Sequence, residues 1–201
     1  MRKRFNLGIL FALIGQIIVT FCNPNLFYVG ANYLLAVFYI LLSFTSLLGY
    51  GLLIAAYALL FNTDRKFKIA FFCLIGCAAV YTTNMLTPML TGTVLLGGYL
   101  SILVPTVQLF SMYMAIEGLM NYHYRNRDMI RMNIGQRVLW IVSASVIAGV
   151  FFSLFASFGV SRELINNQAY IAFTIASAAC DLVGNAAYAY YLLRANIRRK
   201  D

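Results

Sequence analysis

The sequence has very little charge for its length, and this scarcity excludes most soluble folds. Only 10% of its 201 residues are charged, 62% are hydrophobic, and the mean hydropathy is +0.81. Soluble domains average about 25% charged and about 45–50% apolar residues. The chain therefore has too little polar surface to cover a soluble globule. Disorder is excluded as well, because disordered chains are poor in aromatic and aliphatic residues. The composition predicts an integral membrane protein.

Cysteine and histidine are also scarce, with four copies and one copy respectively. Four cysteines in 201 residues exclude a disulfide-rich scaffold. The single histidine, His123, is interpreted as a plain polar residue, since metal and haem sites need suitable convergent ligands. The sequence also lacks a glycine-rich phosphate loop, a His-Glu-x-x-His motif and a Gly-x-Ser-x-Gly motif. We therefore expect no cofactor and no metal, and we predict that the protein is not an enzyme.

Long apolar runs take the place of these motifs. A helix crosses the roughly 30 Å of a bilayer core with about 20 apolar residues. None of the runs shows the period-2 alternation of membrane β-strands. The sequence predicts an all-α fold, a polytopic membrane bundle of six transmembrane helices in a single domain. The predicted spans are 5–22, 33–61, 69–90, 94–118, 138–158 and 169–193.

The basic residues predict the orientation of these spans. If the N-terminus lies inside, all bases except Arg162 fall into segments 1–4, 62–68, 119–137 and 194–201. Because short cytoplasmic loops are rich in Lys and Arg, both termini are predicted to be cytoplasmic and the protein to be a multi-pass plasma-membrane protein. Topology accounts for the net charge of +9, so we expect no nucleic-acid partner.

The longest of these segments, 119–137, mixes aromatic, basic and methionine side chains. Against an anionic leaflet each base is attracted by about 1 kcal/mol. We therefore expect membrane lipids as one partner of this segment. Docking of another protein subunit, or of a second copy of the chain, is the alternative.

The sixth predicted span carries a polar stripe with Asp181 near its middle. Its members, at helical spacing, are Thr174, Ser177, Asp181, Asn185 and Tyr188. Ionisable residues inside spanning helices are costly and mark functional sites. No base lies at the depth of Asp181, so its carboxyl group either stays protonated, donating to a group such as Gln108, or awaits a cation or positively charged ligand. A purely structural hydrogen-bond anchor is the alternative.

Beside the stripe runs a row of small residues at four-residue spacing, which is predicted to pack against another helix, within the chain or across a subunit boundary. The row consists of Ala172, Ala176, Cys180 and Gly184. Small side chains let helix backbones approach closely in lipid.

Further polar residues lie at membrane depth in other spans. Gln108 follows Pro105 in the fourth span, Asn84 lies in the unusually polar outer third of the third span, and Gln16 lies in the first. Apolar walls with a few polar groups are typical of a small-molecule cavity. A small polar or amphipathic solute is the expected ligand, and hydrated, capped helix ends are the alternative. The predicted ligand-binding residues are Asp181, Asn185, Ser177, Gln108, Asn84 and Gln16.

Six spans in 201 residues with both termini inside are similar in outline to the substrate-binding subunits of energy-coupling-factor vitamin transporters. The resemblance covers size and topology, and the alanine signature of their first helix is absent, with only Gly8 and Ala12 forming a small-residue pair. It implies binding from the outer side and ATP hydrolysis by partner chains. Two functions stay open: a solute-binding or transport subunit that works with partner chains, and a membrane sensor that signals to or anchors a cytoplasmic effector.

Overall fold

The computed structural model describes residues 2–22, 33–91, 97–161 and 167–196, and they form six α-helices. The helices are α1 (Arg2–Phe21), α2 (Tyr33–Leu60), α3 (Arg65–Thr91), α4 (Gly97–Arg125), α5 (Met129–Ser161) and α6 (Asn167–Asn196). The predicted all-α fold is confirmed. Five of the helices, α1, α2, α3, α5 and α6, contain a run long and apolar enough to cross a membrane.

The helices form a ring in which each packs against its neighbours in sequence. α1 closes the ring by packing against α6, and α4 makes a smaller contact with α6 across it. Consecutive helices run antiparallel. On the α1–α2 pair, for example, Gly8 lies against Leu60 while Gly15 lies against Gly49.

Glycines set the closest approaches between helices. A Cβ atom on Gly15 would lie 2.8 Å from the carbonyl oxygen of Gly49, so α1 and α2 touch backbone to backbone there. On the other side of the ring, a Cβ atom on Gly184 of α6 would lie 2.7 Å from Ser145 Oγ of α5. Such contacts replace the hydrophobic driving force that helices lack in lipid.

The predicted row of small residues on α6 faces a helix at one end only. Gly184 is buried against α5, Cys180 and Ala176 are half-buried, and Ala172 is exposed. Within the chain, the row therefore contacts a helix at its Gly184 end, and a contact of Ala172 across a subunit boundary stays a prediction. Because an α-helix has 3.6 residues per turn, a strict four-residue row drifts by about 40° at each step, and three steps carry it off the α5-facing side.

The described basic side chains gather at one end of the bundle, which we call the basic end. Here the rings of Phe5 and Tyr122 stack with centroids 4.0 Å apart, joining α1 to α4. The bases at this end are Lys3, Arg4, Arg65, Lys66, Lys68, Arg125, Arg127, Arg131, Arg137 and Arg194. The helix halves farther from it are called the distal half.

Two aspartates organise the turns at the basic end. Asp64 Oδ1 accepts the backbone N–H of Lys66 at the start of α3, and its Oδ2 pairs with Arg125 at 2.6 Å. Asp128 Oδ1 accepts the N–H of Arg131 at the start of α5, as helix-capping carboxylates do. Arg127, with φ 58°, closes α4 in the left-handed conformation that usually suits glycine.

Large apolar side chains fill the half of the ring near the basic end. Among the described side chains, the largest fully buried ones lie mostly there: Ile9, Leu53, Tyr57, Leu60, Phe67, Leu74, Ile116, Leu119, Tyr188, Tyr191 and Leu192. Tyr57 of α2 and Tyr188 of α6 meet across the ring, with their hydroxyl oxygens 2.9 Å apart. This core closes the ring at the basic end.

Candidate functional site

A layer of polar side chains crosses the ring where the apolar core ends. Gln16 Nε2 of α1 donates to Asn185 Oδ1 of α6 at 2.7 Å. The hydroxyl of Tyr50 on α2 donates to Gln108 Oε1 of α4 at 2.8 Å. Both hydrogen bonds lie at one depth, because the Gly15–Gly49 contact sets the residues that follow each glycine side by side. Four helices thus contribute to a single polar layer.

Gln16 is the most deeply buried member of this layer. Its side chain is 0% exposed, and among the described residues its Oε1 atom has no hydrogen-bond partner. One turn farther along α1, the hydroxyl of Thr20 donates to the backbone carbonyl of Gln16 at 2.7 Å. An unsatisfied buried acceptor costs roughly 1–3 kcal/mol. Gln16 therefore presents an acceptor that a bound molecule with a donor would satisfy.

Asp181 lies one helical turn from Asn185, on the distal side of the layer. Gly149 of α5 leaves room for its carboxylate, since a Cβ atom there would lie 3.2 Å from Asp181 Oδ1. Ser177, one turn earlier on α6, contacts the same glycine, because its Oγ donates to the Gly149 carbonyl at 3.0 Å. Asp181 is half-buried, and no ion pair or hydrogen bond with another described residue involves its carboxylate. The Asp181 carboxylate thus has no positively charged partner among the described residues.

The direction of Asp181 follows from the contacts of its neighbours on α6. Ser177 and Gly184 face α5, whereas Asn185 faces α1. At about 100° per residue, Asp181 lies on the helix circumference between these two directions. Its side chain accordingly points toward the interior of the ring between α5 and α1.

Hydroxyl groups continue the polar interior into the distal half. Thr20 on α1, and Ser46 and Ser43 on α2, lie one or two turns beyond the layer and are all buried. Buried side chains near the basic end are mainly apolar. Polarity inside the ring therefore rises along the bundle axis, from the basic end to the distal half.

The predicted site residues fall into two groups. Gln16, Asn185, Asp181 and Ser177 come together where α6 meets α1 and α5. Gln108 lies on the other side of the layer, with its oxygen accepting from Tyr50, while the side chain of Asn84 lies outside the described residues.

Thr174 was predicted as the outermost member of the α6 stripe, but it is exposed, and its hydroxyl donates to the backbone carbonyl of Tyr170 at 2.9 Å. The reason is the length of α1. That helix ends at Phe21, five residues beyond Gln16, whereas Thr174 lies eleven residues before Asn185. At this depth α6 has passed the last residue of its partner helix.

Sequence reasoning missed the contribution of α2. Ser43, Ser46, Tyr50 and Tyr57 are spaced by three, four and seven residues and share one helix face that is buried throughout. This period within a highly apolar run is the signal that would have identified the face. The space that Gly149 leaves opposite Asp181 had no such signal in the sequence, because it depends on how α5 packs against α6.

His123, which the sequence analysis interpreted as a plain polar residue, is buried in the structure. It is only 2% exposed, at the basic end of α4, and its ring lies 6.3 Å from that of Tyr191 on α6. Burial lowers the pKa of His123 to about 4, against the opposing effect of the Asp128 charge and with a smaller lowering effect of Arg131. Neither His123 Nε2 nor the Tyr191 hydroxyl has a hydrogen-bond partner among the described residues. The imidazole is therefore a neutral, buried part of the packing at neutral pH.

Comparison of the chain with protein families, with curated proteins and with solved structures finds no match. Function is therefore argued from the geometry of the site.

Proposed function

We propose that the protein is a six-span plasma-membrane protein whose basic end, with both termini, faces the cytoplasm. In this topology α4 also crosses the membrane, in addition to the five helices α1, α2, α3, α5 and α6. Support comes from the meeting of all described bases at one end, since Lys and Arg are enriched in cytoplasmic segments. Under this topology the distal half opens toward the outside.

Within this topology we propose that the protein is a small-solute-binding or transport subunit that takes its solute from the outer side. The carrying observation is Asp181: it points into the ring yet stays half-exposed and unpaired, directly above a closed apolar core. A site of this kind, with convergent polar groups above apolar walls, is typical of small-molecule binding.

The closed core argues for a binding subunit rather than an open channel. Tyr57 and Tyr188 block the ring below the polar layer, with their hydroxyls paired at 2.9 Å. A solute at Asp181 therefore needs a rearrangement of helices to reach the cytoplasm. That rearrangement requires free energy, and partner chains are the proposed source.

The exposed bases form a surface to which such a partner chain can bind. Lys66, Arg125 and Arg131 pair with the acids Glu117, Asp64 and Asp128. No salt bridge among the described residues involves the other bases at this end that are exposed: Lys3, Arg4, Arg65, Lys68, Arg127, Arg137 and Arg194. These seven side chains suit an anionic partner surface or anionic lipid headgroups.

A sensor that signals to a cytoplasmic effector is the second candidate. The observation that favours it is the packing of Tyr191 against His123, which joins the end of α6 to the α4–α5 turn. Purification from the native membrane in mild detergent distinguishes the two functions: an ATPase partner supports transport, and a cytoplasmic effector such as a kinase supports sensing.

Thiol accessibility in intact cells tests the outward-facing site. In a variant with the four native cysteines replaced, Ser177→Cys should react with a small membrane-impermeant thiol reagent. Ser111→Cys is the matched control, because Ser111 is 0% exposed within the closed core, and it should stay unlabelled. Equal protection of both positions would contradict an outward-open site.

The same assay tests the topology. Asn166→Cys should be labelled from outside and Asn126→Cys should not. Labelling of position 126 in sealed cells would overturn the orientation proposed above.

Solute binding itself is tested with the purified protein in detergent. Thermal unfolding is measured against a panel of small amines, carboxylates, sugars and nucleobases, each at millimolar concentration. At least one class should raise the unfolding midpoint, because a ligand that binds only the folded state stabilises it by mass action. If no class does so and position 177 stays unlabelled, the binding function is wrong.

A further inference from the structure

The site at the α1–α6 contact contains acceptor atoms that have no hydrogen-bond donor among the described residues. Gln16 Oε1 is fully buried and unpaired among the described residues, and the Asp181 carboxylate is likewise unpaired there. Asn185 Oδ1 accepts one hydrogen bond, from Gln16 Nε2, and an amide oxygen has a second lone pair. Three acceptor groups near the α1–α6 contact therefore have lone pairs without a partner among the described residues.

These three groups lie close together. Asp181 and Asn185 are four residues apart on α6, so their Cβ atoms lie about 5–6 Å apart on one face. Asn185 in turn contacts Gln16 across the helix pair at 2.7 Å. Oxygen-bearing side chains from two helices thus lie near one another at the level of the polar layer.

Among the residues that the structure describes, positive charge is also missing at this level. Every base that the structure describes lies near the basic end, below the apolar core. A carboxylate in a weakly polar interior is stabilised by an opposite charge within about 4–6 Å. A ligand that brings that charge gains the interaction without displacing a protein partner.

We propose that this site binds the ammonium group of a small organic amine. The inference rests on the solute-binding function proposed above and names the class of its ligand. An ammonium group has three donors and no acceptor, which matches the oxygens of Gln16, Asp181 and Asn185. The rest of such a molecule lies toward the distal half, where the Thr20 and Ser46 hydroxyls are within the ring.

A metal ion fits the same oxygens less well. Hard cations such as Ca²⁺ take about 6–8 oxygen ligands, and the side chains of Gln16, Asp181 and Asn185 carry only four oxygen atoms. Among the described residues, no group of three or more His, Cys, Asp or Glu side chains stands together to hold a metal. The chemistry of the oxygens therefore favours a directional donor over an ion that needs a complete shell.

The test uses n-butylammonium as the probe, with 1-butanol and butyrate as neutral and anionic molecules of similar size. Binding to the full chain in detergent is measured by isothermal titration calorimetry at pH 7. Butylammonium should bind, and neither control should. Asp181→Asn keeps the size of the side chain but removes its charge, and it should weaken binding roughly tenfold or more, as expected for loss of a charge-assisted hydrogen bond.

Glu117→Gln is the matched control, because it makes the same carboxylate-to-amide change at the basic end, where Glu117 pairs with Lys66. It should leave butylammonium binding unchanged. Gln16→Met provides a second variant, since it removes Oε1 at nearly constant volume, and it should also weaken binding. Gel filtration and thermal unfolding establish that each variant is folded.

The possible outcomes separate this inference from the proposed function. Equal binding of the three probes, or unchanged butylammonium binding in both Asp181→Asn and Gln16→Met, would overturn the ammonium site. Binding of butyrate or a neutral solute alone would also overturn it, while the solute-binding function would stand. If no solute class binds and Ser177→Cys is unreactive, both proposals fail.

Discussion

Acidification should destabilise the protein through His123 before most carboxylates are protonated. The imidazole is 2% exposed, and its pKa falls from 6.5 to about 4, chiefly because burial disfavours the charged form. In the unfolded chain the same group titrates near its ordinary value. Below pH 6.5 protons therefore bind the unfolded state first, and the folding equilibrium shifts toward it.

The sign and the size of the effect follow from this difference. Stability is unaffected by His123 above pH 6.5 and falls as the pH drops from 6.5 to 4, where the folded state also becomes protonated. A difference of one pKa unit is 1.36 kcal/mol, so the full loss is at most about 3 kcal/mol. For a chain of this size that corresponds to a fall in unfolding temperature of roughly 6–12 °C.

The assay compares the thermal unfolding midpoint of the wild type with that of His123→Gln between pH 7.5 and 4.5, in one detergent and at one scan rate. Gln cannot be protonated, so the variant starts with lower stability from imperfect packing but loses less on acidification. Parallel pH profiles for the two proteins would refute the idea that His123 is buried and neutral.

Two further predictions concern packing. Gly184→Leu should destabilise the protein by several kcal/mol, because a Cβ atom at this position would lie 2.7 Å from Ser145 Oγ. Ala172→Leu on the same helix should change stability by no more than about 0.5 kcal/mol, since Ala172 is exposed. Equal unfolding midpoints of the two variants would show that Gly184 faces lipid. Tyr57→Phe and Tyr188→Phe should each lower the free energy of unfolding by about 1–3 kcal/mol, because each leaves one buried hydroxyl unpaired. In a double-mutant cycle, the double variant should lose less than the sum of the two single losses. Additive losses would exclude the hydroxyl pair.

Helix number and type were predictable because hydropathy and length determine them, but helix ends were not. The fifth predicted span was 138–158, whereas α5 runs over Met129–Ser161. Asp128 caps this helix well before the apolar run begins. A hydropathy argument registers only the part of a helix suited to hydrocarbon, so it underestimates helices that project beyond the bilayer.

The candidate site was predictable in its residues on α1 and α6 and not in its walls. Asp181, Asn185 and Gln16 stand out because polar side chains are costly at membrane depth. Their grouping depends on which helices become neighbours, and this is decided by small residues such as Gly15, Gly49 and Gly149 that have no polar signature. A single sequence therefore indicates the chemical groups of the site more readily than their partners.

Charge compensation differs between the basic end and the polar layer. Near the basic end, the carboxylates of Asp64, Glu117 and Asp128 pair with bases, although His123 Nε2 and the Tyr191 hydroxyl have no hydrogen-bond partner among the described residues. In the polar layer, Gln16 keeps a buried acceptor unpaired among the described residues, and Asp181 has no counter-charge among them. Replacing such groups by apolar side chains of similar volume is often neutral or stabilising. An uncompensated carboxylate of this kind contributes little to stability, and it is the group that the proposed ammonium ligand would neutralise.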